Sequence, residues 1–125
     1  MDNVEFLGYK RGRELEELVA GACFVVVPSE WYENNPMTVI EAYSAGTPVI
    51  GARIGGIPEI VVEAQTGFQF TSGDADDLCD VLSKAAALGA DDYHALSAGA
   101  LRFAAENFAP GPYYERLVAF YRRFV

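Results

Sequence analysis

Two carboxylates, Glu33 and Glu41, stand with seven residues between them, where a polar loop passes through Asn34, Asn35 and Pro36 into a helix-like run from Met37 and Thr38 onward. Met37 and Glu41 are i and i+4, so Glu41 falls one turn along that helix on the side of its start. The amides of a helix's first turn, here those of Met37 and Thr38, have no partner inside the helix and can hold phosphate oxygens. Two carboxylates beside them can accept hydrogen bonds from sugar hydroxyls. The pattern suits an anion with a sugar attached. Spacing alone still favours a solvated surface position for each glutamate, because Glu is rarely buried without a partner.

The elements that must position these residues are legible in the hydrophobic pattern. Residues 4–8 (VEFLG) and 23–27 (CFVVV) read as strands, the second a continuous apolar run of the kind buried on both faces of a parallel sheet. Between them, Leu15, Leu18, Val19 and Ala22 share one face of a helix over 13–22. Asn34-Asn35-Pro36 supplies a capping residue and then a proline at the first helical position, and the helix over 37–45 is stopped by Gly46. Residues 47–51 and 67–70 read as strands, with a short helix ending near Glu63 between them. Asp74, Asp76 and Asp77 sit at the start of a helix over 78–88 and read as caps, not as a metal site. Helices over 93–107 and 113–124 close the chain.

This alternation predicts an α/β fold, a Rossmann-like parallel sheet of about four strands with helices on both faces, formed by residues 1–125 as a single domain. In such folds ligands lie beyond the carboxyl ends of the strands, which selects the polar, aromatic loop 29–36 and the glycine-rich loop 52–58.

Composition narrows the function. With 125 residues, 51% of them hydrophobic, the chain is long enough to bury a core without staples. Nine Lys+Arg against eighteen Asp+Glu give a net charge of −9, which argues against a nucleic-acid partner. Cys23 and Cys79 form no CxxC pair and His94 stands alone, so a metal or disulfide framework is not expected. The longest apolar stretches fall well short of a membrane span, and the start Met1-Asp2-Asn3-Val4 lacks a basic segment followed by an apolar one. A soluble, cytoplasmic location is the expectation.

Pro28-Ser29, Glu33, Glu41-Ala42, Ala45-Gly46-Thr47-Pro48-Val49-Ile50, Gly55-Gly56-Ile57-Pro58-Glu59 and Thr66-Gly67 together resemble the C-terminal nucleotide-sugar-binding domain of retaining GT-B glycosyltransferases of family 4. The matching stretch, PSEWYENNPMTVIEAYSAGTPVIGARIGGIPEIVVEAQTG, covers about a third of the chain. The resemblance implies that Glu41 binds the ribose hydroxyls of a nucleotide-diphosphate sugar and that Glu33, as catalytic residue, sits against the transferred sugar. Asn34, Asn35, Met37 and Thr38 would face the sugar and diphosphate. No metal or other cofactor is implied.

Two departures qualify that expectation. Where the family often has a glycine-rich EGFG segment, this chain has Glu33-Asn34-Asn35-Pro36, and a proline has no N–H to offer, which leaves Met37 and Thr38 as the remaining donors. The family's diphosphate-neutralising Arg and Lys, and its N-terminal acceptor domain, have no counterpart here. Lys10, Arg11 and Arg13 read instead as a solvated basic turn. Stabilising the charge of a leaving diphosphate supplies much of the rate in such chemistry, so the chain alone is expected to be inactive.

The implied strand order, 3-2-1-4-5-6, would leave residues 4–8 without the two strands that separate them from 23–27. An open sheet edge invites pairing, so a rearranged register or a homodimer along that edge is expected. Trp31 and Tyr32 read equally as a wall for a base or sugar and as packing against the neighbouring helix. Gly55 and Gly56 read as a turn sooner than as a ligand contact. Tyr113, Tyr114, Phe120, Tyr121 and Phe124 read as a packed helix face.

Ser29 lacks the context of a hydrolase nucleophile. The competing functional reading is a non-catalytic, self-associating domain derived from a glycosyltransferase. A phospho-receiver domain ranks below both, because Gly8-Tyr9-Lys10 stands where its acidic cluster would be.

Overall fold

The computed structural model describes residues 2–125; Met1, the first residue of the start segment considered above, lies outside them. The order of elements is α1 (Gly12–Gly21), β1 (Val25–Val27), α2 (Met37–Ser44), β2 (Val49–Ala52), α3 (Ile57–Ile60), β3 (Gly67–Phe70), α4 (Ala75–Ala86), α5 (Ala90–Asn107) and α6 (Pro110–Tyr121), followed by a short 3-10 turn, Arg122–Phe124. The three strands form one parallel sheet in the order β1-β2-β3. Val25 pairs with Val49, and Val49 with Gly67, so the strands start level.

β2 is central, and all four of its residues are buried. Alternation along the strands sends Val49 and Val27 to one face, where they meet Val39, Ala42 and Tyr43 of α2, Ile57 of α3, and Ala100 and Ala104 of α5. Ile50, Ala52, Phe68 and Phe70 face the other side, against Ala85 of α4 and Leu96 of α5. Helices therefore cover both faces, as the alternation predicted.

α2 ends in a two-bond cap. The Gly46 amide donates to the Tyr43 carbonyl at 3.0 Å and the Thr47 amide to the Ala42 carbonyl at 2.9 Å. Gly46 takes φ +75 to allow it, the left-handed position for which the sequence supplies glycine. Asp74 caps α4 as expected, its carboxylate accepting from the Asp77 amide at 3.0 Å.

The sheet has three strands, not about four. Residues 4–8 form no strand: Val4, Phe6 and Leu7 are exposed, Phe6 at 92%. A strand is held by the ladder on its flank, and an apolar run without a neighbour to pair has nothing to fix it extended. The outer edge of β1 is unpaired among the described residues. The entry to α2 also differs: Pro36 is the N-cap, not the first helical residue, and no side chain caps the helix, so neither Asn34 nor Asn35 does so. The aromatic side chains of α6 do not form a packed face either. Tyr113, Tyr114, Phe120, Tyr121 and Phe124 are all exposed, and α6 is tied to the end of α5 by Arg116, which donates to the Glu106 and Asn107 carbonyls. A helix covers an apolar face only where another element lies opposite it, and none of the described elements does so here.

Candidate functional site

The carboxyl ends of the three strands deliver three loops to one rim of the sheet, and hydrogen bonds join them. Ser29, buried just after β1, accepts at its carbonyl from the Ser72 hydroxyl at 2.8 Å, which ties the first loop to the one after β3. The Ser29 hydroxyl donates to Glu33 Oε1 at 2.9 Å, and the Glu33 carbonyl accepts from the Gly56 amide at 2.7 Å, which ties the first loop to the one after β2. Gly55 and Gly56 thus serve a turn, Gly55 at φ +59, and also a close approach of backbone to backbone. A Cβ on Gly55 would lie 2.5 Å from the Glu33 carbonyl oxygen, and one on Gly56 would lie 1.9 Å from that of Asn34.

Glu33 is therefore held at both its backbone and its carboxylate. One carboxylate oxygen is engaged by Ser29, and the side chain is only half-buried, so the group keeps accepting capacity toward the exterior. It lines an open cavity of about 530 Å³ together with Trp31, Tyr32, Asn34, Asn35, Pro36, Met37 and Thr38. The uncapped amino end of α2 belongs to the same wall. Met37 and Thr38 are exposed there, so the first-turn amides of an eight-residue helix face an accessible space with no side-chain cap.

Glu41 is exposed on α2 and lines a different, smaller cavity of about 220 Å³ with Gly12, Leu15, Glu16 and Val19 of α1 and Ala45. The structure thus brings Glu33, Asn34, Asn35, Met37 and Thr38 into one cavity and leaves Glu41 outside it. From Met37, which lines the Glu33 cavity, to Glu41 the helix rises about 6 Å.

No Lys or Arg lines the Glu33 cavity among the described residues. Lys10 pairs with Glu14 at 2.6 Å and Arg13 with Glu17 at 2.8 Å, the solvated basic turn that the sequence suggested. Arg53, a cation on the rim that the sequence reading passed over, is bound to Gln69 at 3.2 Å; its guanidinium is one of the lesser influences on Asp77, after hydrogen bonding to Thr71. Its place in the loop after β2 was the signal that could have drawn attention to it.

Other positions of the sequence pattern prove to be structural supports. The buried Tyr43 hydroxyl donates to the Ile60 carbonyl at 2.8 Å and shares a hydrogen bond of 2.7 Å with the Thr66 hydroxyl, which in turn accepts from the Val62 amide at 2.9 Å. Burial pushes the Tyr43 phenol up to about 12. Thr47 donates to the Val19 carbonyl at 2.9 Å, which anchors α1 against the sheet. Gly67 lies where a Cβ would meet the Val49 carbonyl at 1.7 Å. His94 is exposed, and among the described residues no three His, Cys, Asp or Glu side chains gather as metal ligands would. No helix among them is long and apolar enough to cross a membrane.

A family model described as glycosyl transferases group 1 matches residues 1–101. The chain is 45% identical over 75 residues to the sulfoquinovosyl transferase SQD2 of Arabidopsis thaliana, covering 58% of this chain and 14% of that protein. It is 34% identical over 85 residues to a D-inositol 3-phosphate glycosyltransferase of Saccharomonospora viridis, covering 68% of this chain and 20% of that protein. Among solved structures, a sucrose-phosphate synthase of Thermosynechococcus elongatus superposes with a TM-score of 0.82 at 27% identity, over 98% of this chain and 30% of that one. HepE of Anabaena in complex with UDP superposes with a TM-score of 0.84 at 22% identity, over 98% and 33%, a likeness of fold. The chain thus spans between about a seventh and a third of the length of these proteins.

Proposed function

The chain belongs to the group 1 glycosyl transferases, and from that premise we propose that it is the donor-binding portion of a retaining glycosyltransferase, holding a nucleotide-diphosphate sugar at the start of α2. The observation that carries this reading is the Glu33 carboxylate, held by buried Ser29 at 2.9 Å in the same cavity as the uncapped amino end of α2. A sugar nucleotide is a long molecule with a hexose and a ribose at opposite ends of a diphosphate. Its sugar hydroxyls donate to Glu33, with Asn34 and Asn35 beside them, its phosphate oxygens lie at the Met37 and Thr38 amides, and its ribose reaches Glu41 one turn further on. Two cavities flanking one helical turn suit a ligand with two polyhydroxylated ends.

In the transfer itself, the bond between the anomeric carbon and the diphosphate oxygen breaks with its electron pair leaving on the diphosphate. The acceptor hydroxyl oxygen bonds to that carbon on the same face, and its proton ends on the diphosphate. The developing charge has the helix amino end to meet it but no cation in the cavity, so the 125 residues alone hold donor without turning it over. Acceptor binding belongs, in this reading, to an N-terminal domain, and the missing cations to an earlier strand and loop of the donor-binding domain itself.

Calorimetric titration with the glucose esters of uridine, guanosine and adenosine diphosphate tests the reading. One of them binds with a dissociation constant of about 1 mM or tighter, and Glu41→Ala weakens it about tenfold. Absence of heat for all three at several millimolar would refute donor binding.

A second reading, a self-associating domain derived from such an enzyme, is favoured by the unpaired outer edge of β1 and by the exposed Val4, Phe6 and Leu7. Light scattering that shows a monomer at about 1 mM would remove it.

A further inference from the structure

We propose that Trp31 and Tyr32 form a stacking platform for a saccharide ring at the mouth of the Glu33 cavity, which would make them specificity-determining residues of the site. The inference rests on the assignment of that cavity to a sugar and goes beyond it by naming what holds the ring's apolar face.

The sequence left these two aromatics divided equally between packing on the neighbouring helix and facing a ligand. The structure removes the packing account: Trp31 is 68% exposed and Tyr32 86%, yet both line the cavity with Glu33, Asn34 and Asn35. The backbone that follows them is nevertheless held. A Cβ on Gly55 would lie 3.1 Å from the Tyr32 Cα, and the next residue is clamped by the Gly56 amide. Large rings on a held backbone cost little conformational entropy when a ligand arrives.

The chemistry of the wall selects the ligand class. A pyranose ring presents a face of C–H groups, which an aromatic face attracts through its negative quadrupole, and a rim of hydroxyls, which planar carboxylate and amide groups accept from and donate to. Aromatic residues directly followed by Glu33-Asn34-Asn35 supply both on one loop. The ring is either the donor's sugar or a sugar of the acceptor, one chemistry from two sources.

Trp31 is the single tryptophan of the chain, so its emission reports the platform directly. The full chain is titrated with UDP, UDP-glucose and methyl α-glucoside, following fluorescence and calorimetry together, for the parent, Trp31→Phe, Trp31→Ala and Tyr32→Ala. A donor-sugar platform gives an emission change with UDP-glucose that UDP does not give. Trp31→Ala and Tyr32→Ala then weaken UDP-glucose about tenfold and UDP less than about twofold, and Trp31→Phe retains most of the affinity. An emission change with methyl α-glucoside that Tyr32→Ala abolishes supports the platform and identifies the acceptor as its source, whether or not a nucleotide binds. Unchanged UDP-glucose affinity in both alanine variants, with no emission change on methyl α-glucoside, overturns the platform while leaving donor binding intact. Silence in both measurements toward all three ligands, and toward the guanosine and adenosine diphosphates and their glucose esters, overturns platform and donor binding together.

Discussion

The amide of Gly56 donates to the carbonyl oxygen of Glu33 at 2.7 Å, so the glycine-rich loop after β2 is the floor on which the acidic loop after β1 rests. The glycine is needed for room and not for conformation: its φ of −83 suits any residue, but a Cβ would meet the Asn34 carbonyl oxygen at 1.9 Å. One backbone must then move.

Gly56→Ala is accordingly expected to lower stability by about 2 kcal/mol, within the range for overpacking a filled site, and to displace Glu33. Urea unfolding measures the first effect. Loss of UDP-glucose binding beyond the loss of folded protein measures the second.

Ser29→Ala removes the donor to Glu33 Oε1 while leaving the Ser29 carbonyl bond to Ser72 in place. A freed Glu33 side chain must be ordered by the ligand, at a cost of about 1 kcal/mol. Affinity for a sugar nucleotide should fall about fivefold and affinity for the matching nucleoside diphosphate should not change, a difference that paired calorimetric titrations resolve.

Tyr43→Phe deletes the buried hydroxyl that bonds Ile60 and Thr66, while Thr66 keeps its bond from the Val62 amide; the expected cost is about 1 to 2 kcal/mol. The same residue sets an alkaline limit. Burial raises its phenol from 10.0 to about 12, so the folded state binds the proton more tightly than the unfolded one. Its contribution is complete below pH 10 and is lost as pH rises toward 12, amounting to roughly 2 to 3 kcal/mol. Unfolding followed from pH 9 upward should show a shallower decline in Tyr43→Phe than in the parent. Some decline remains, because burial also raises the phenol of Tyr93.

Asp74→Ala removes the cap of α4 and should cost about 1 kcal/mol in urea unfolding. Asp77, three residues on, accepts from the Thr71 amide, and that bond holds its carboxyl below the ordinary value of 3.8. The stability this contributes is present above that value and lost as pH falls below it, so acid unfolding of Asp77→Asn should start from a lower plateau and lose less between pH 4 and 2.

What could be read from the sequence was whatever neighbours in the chain decide. The apolar run ending at Val27, the left-handed stop at Gly46 and the acids at the start of α4 each depend on residues within a turn or a strand of one another, and each is found where the pattern put it. The pairing of Glu33 with the amino end of α2 was legible for the same reason, since a few residues separate them.

Tertiary structure decided the rest, because it depends on what lies opposite. Residues 4–8 have the composition of a strand and no strand beside them, so composition could not make them one. Glu33 and Glu41 share a helix approach, but α1 closes around one and not the other, which gives them separate cavities. The bond from Ser72 to Ser29 joins residues 43 apart, and the seat that Gly56 offers Glu33 is likewise made between loops that meet only when β1, β2 and β3 lie level. Periodicity specifies an element's faces; only the assembled sheet specifies which loops touch at its rim.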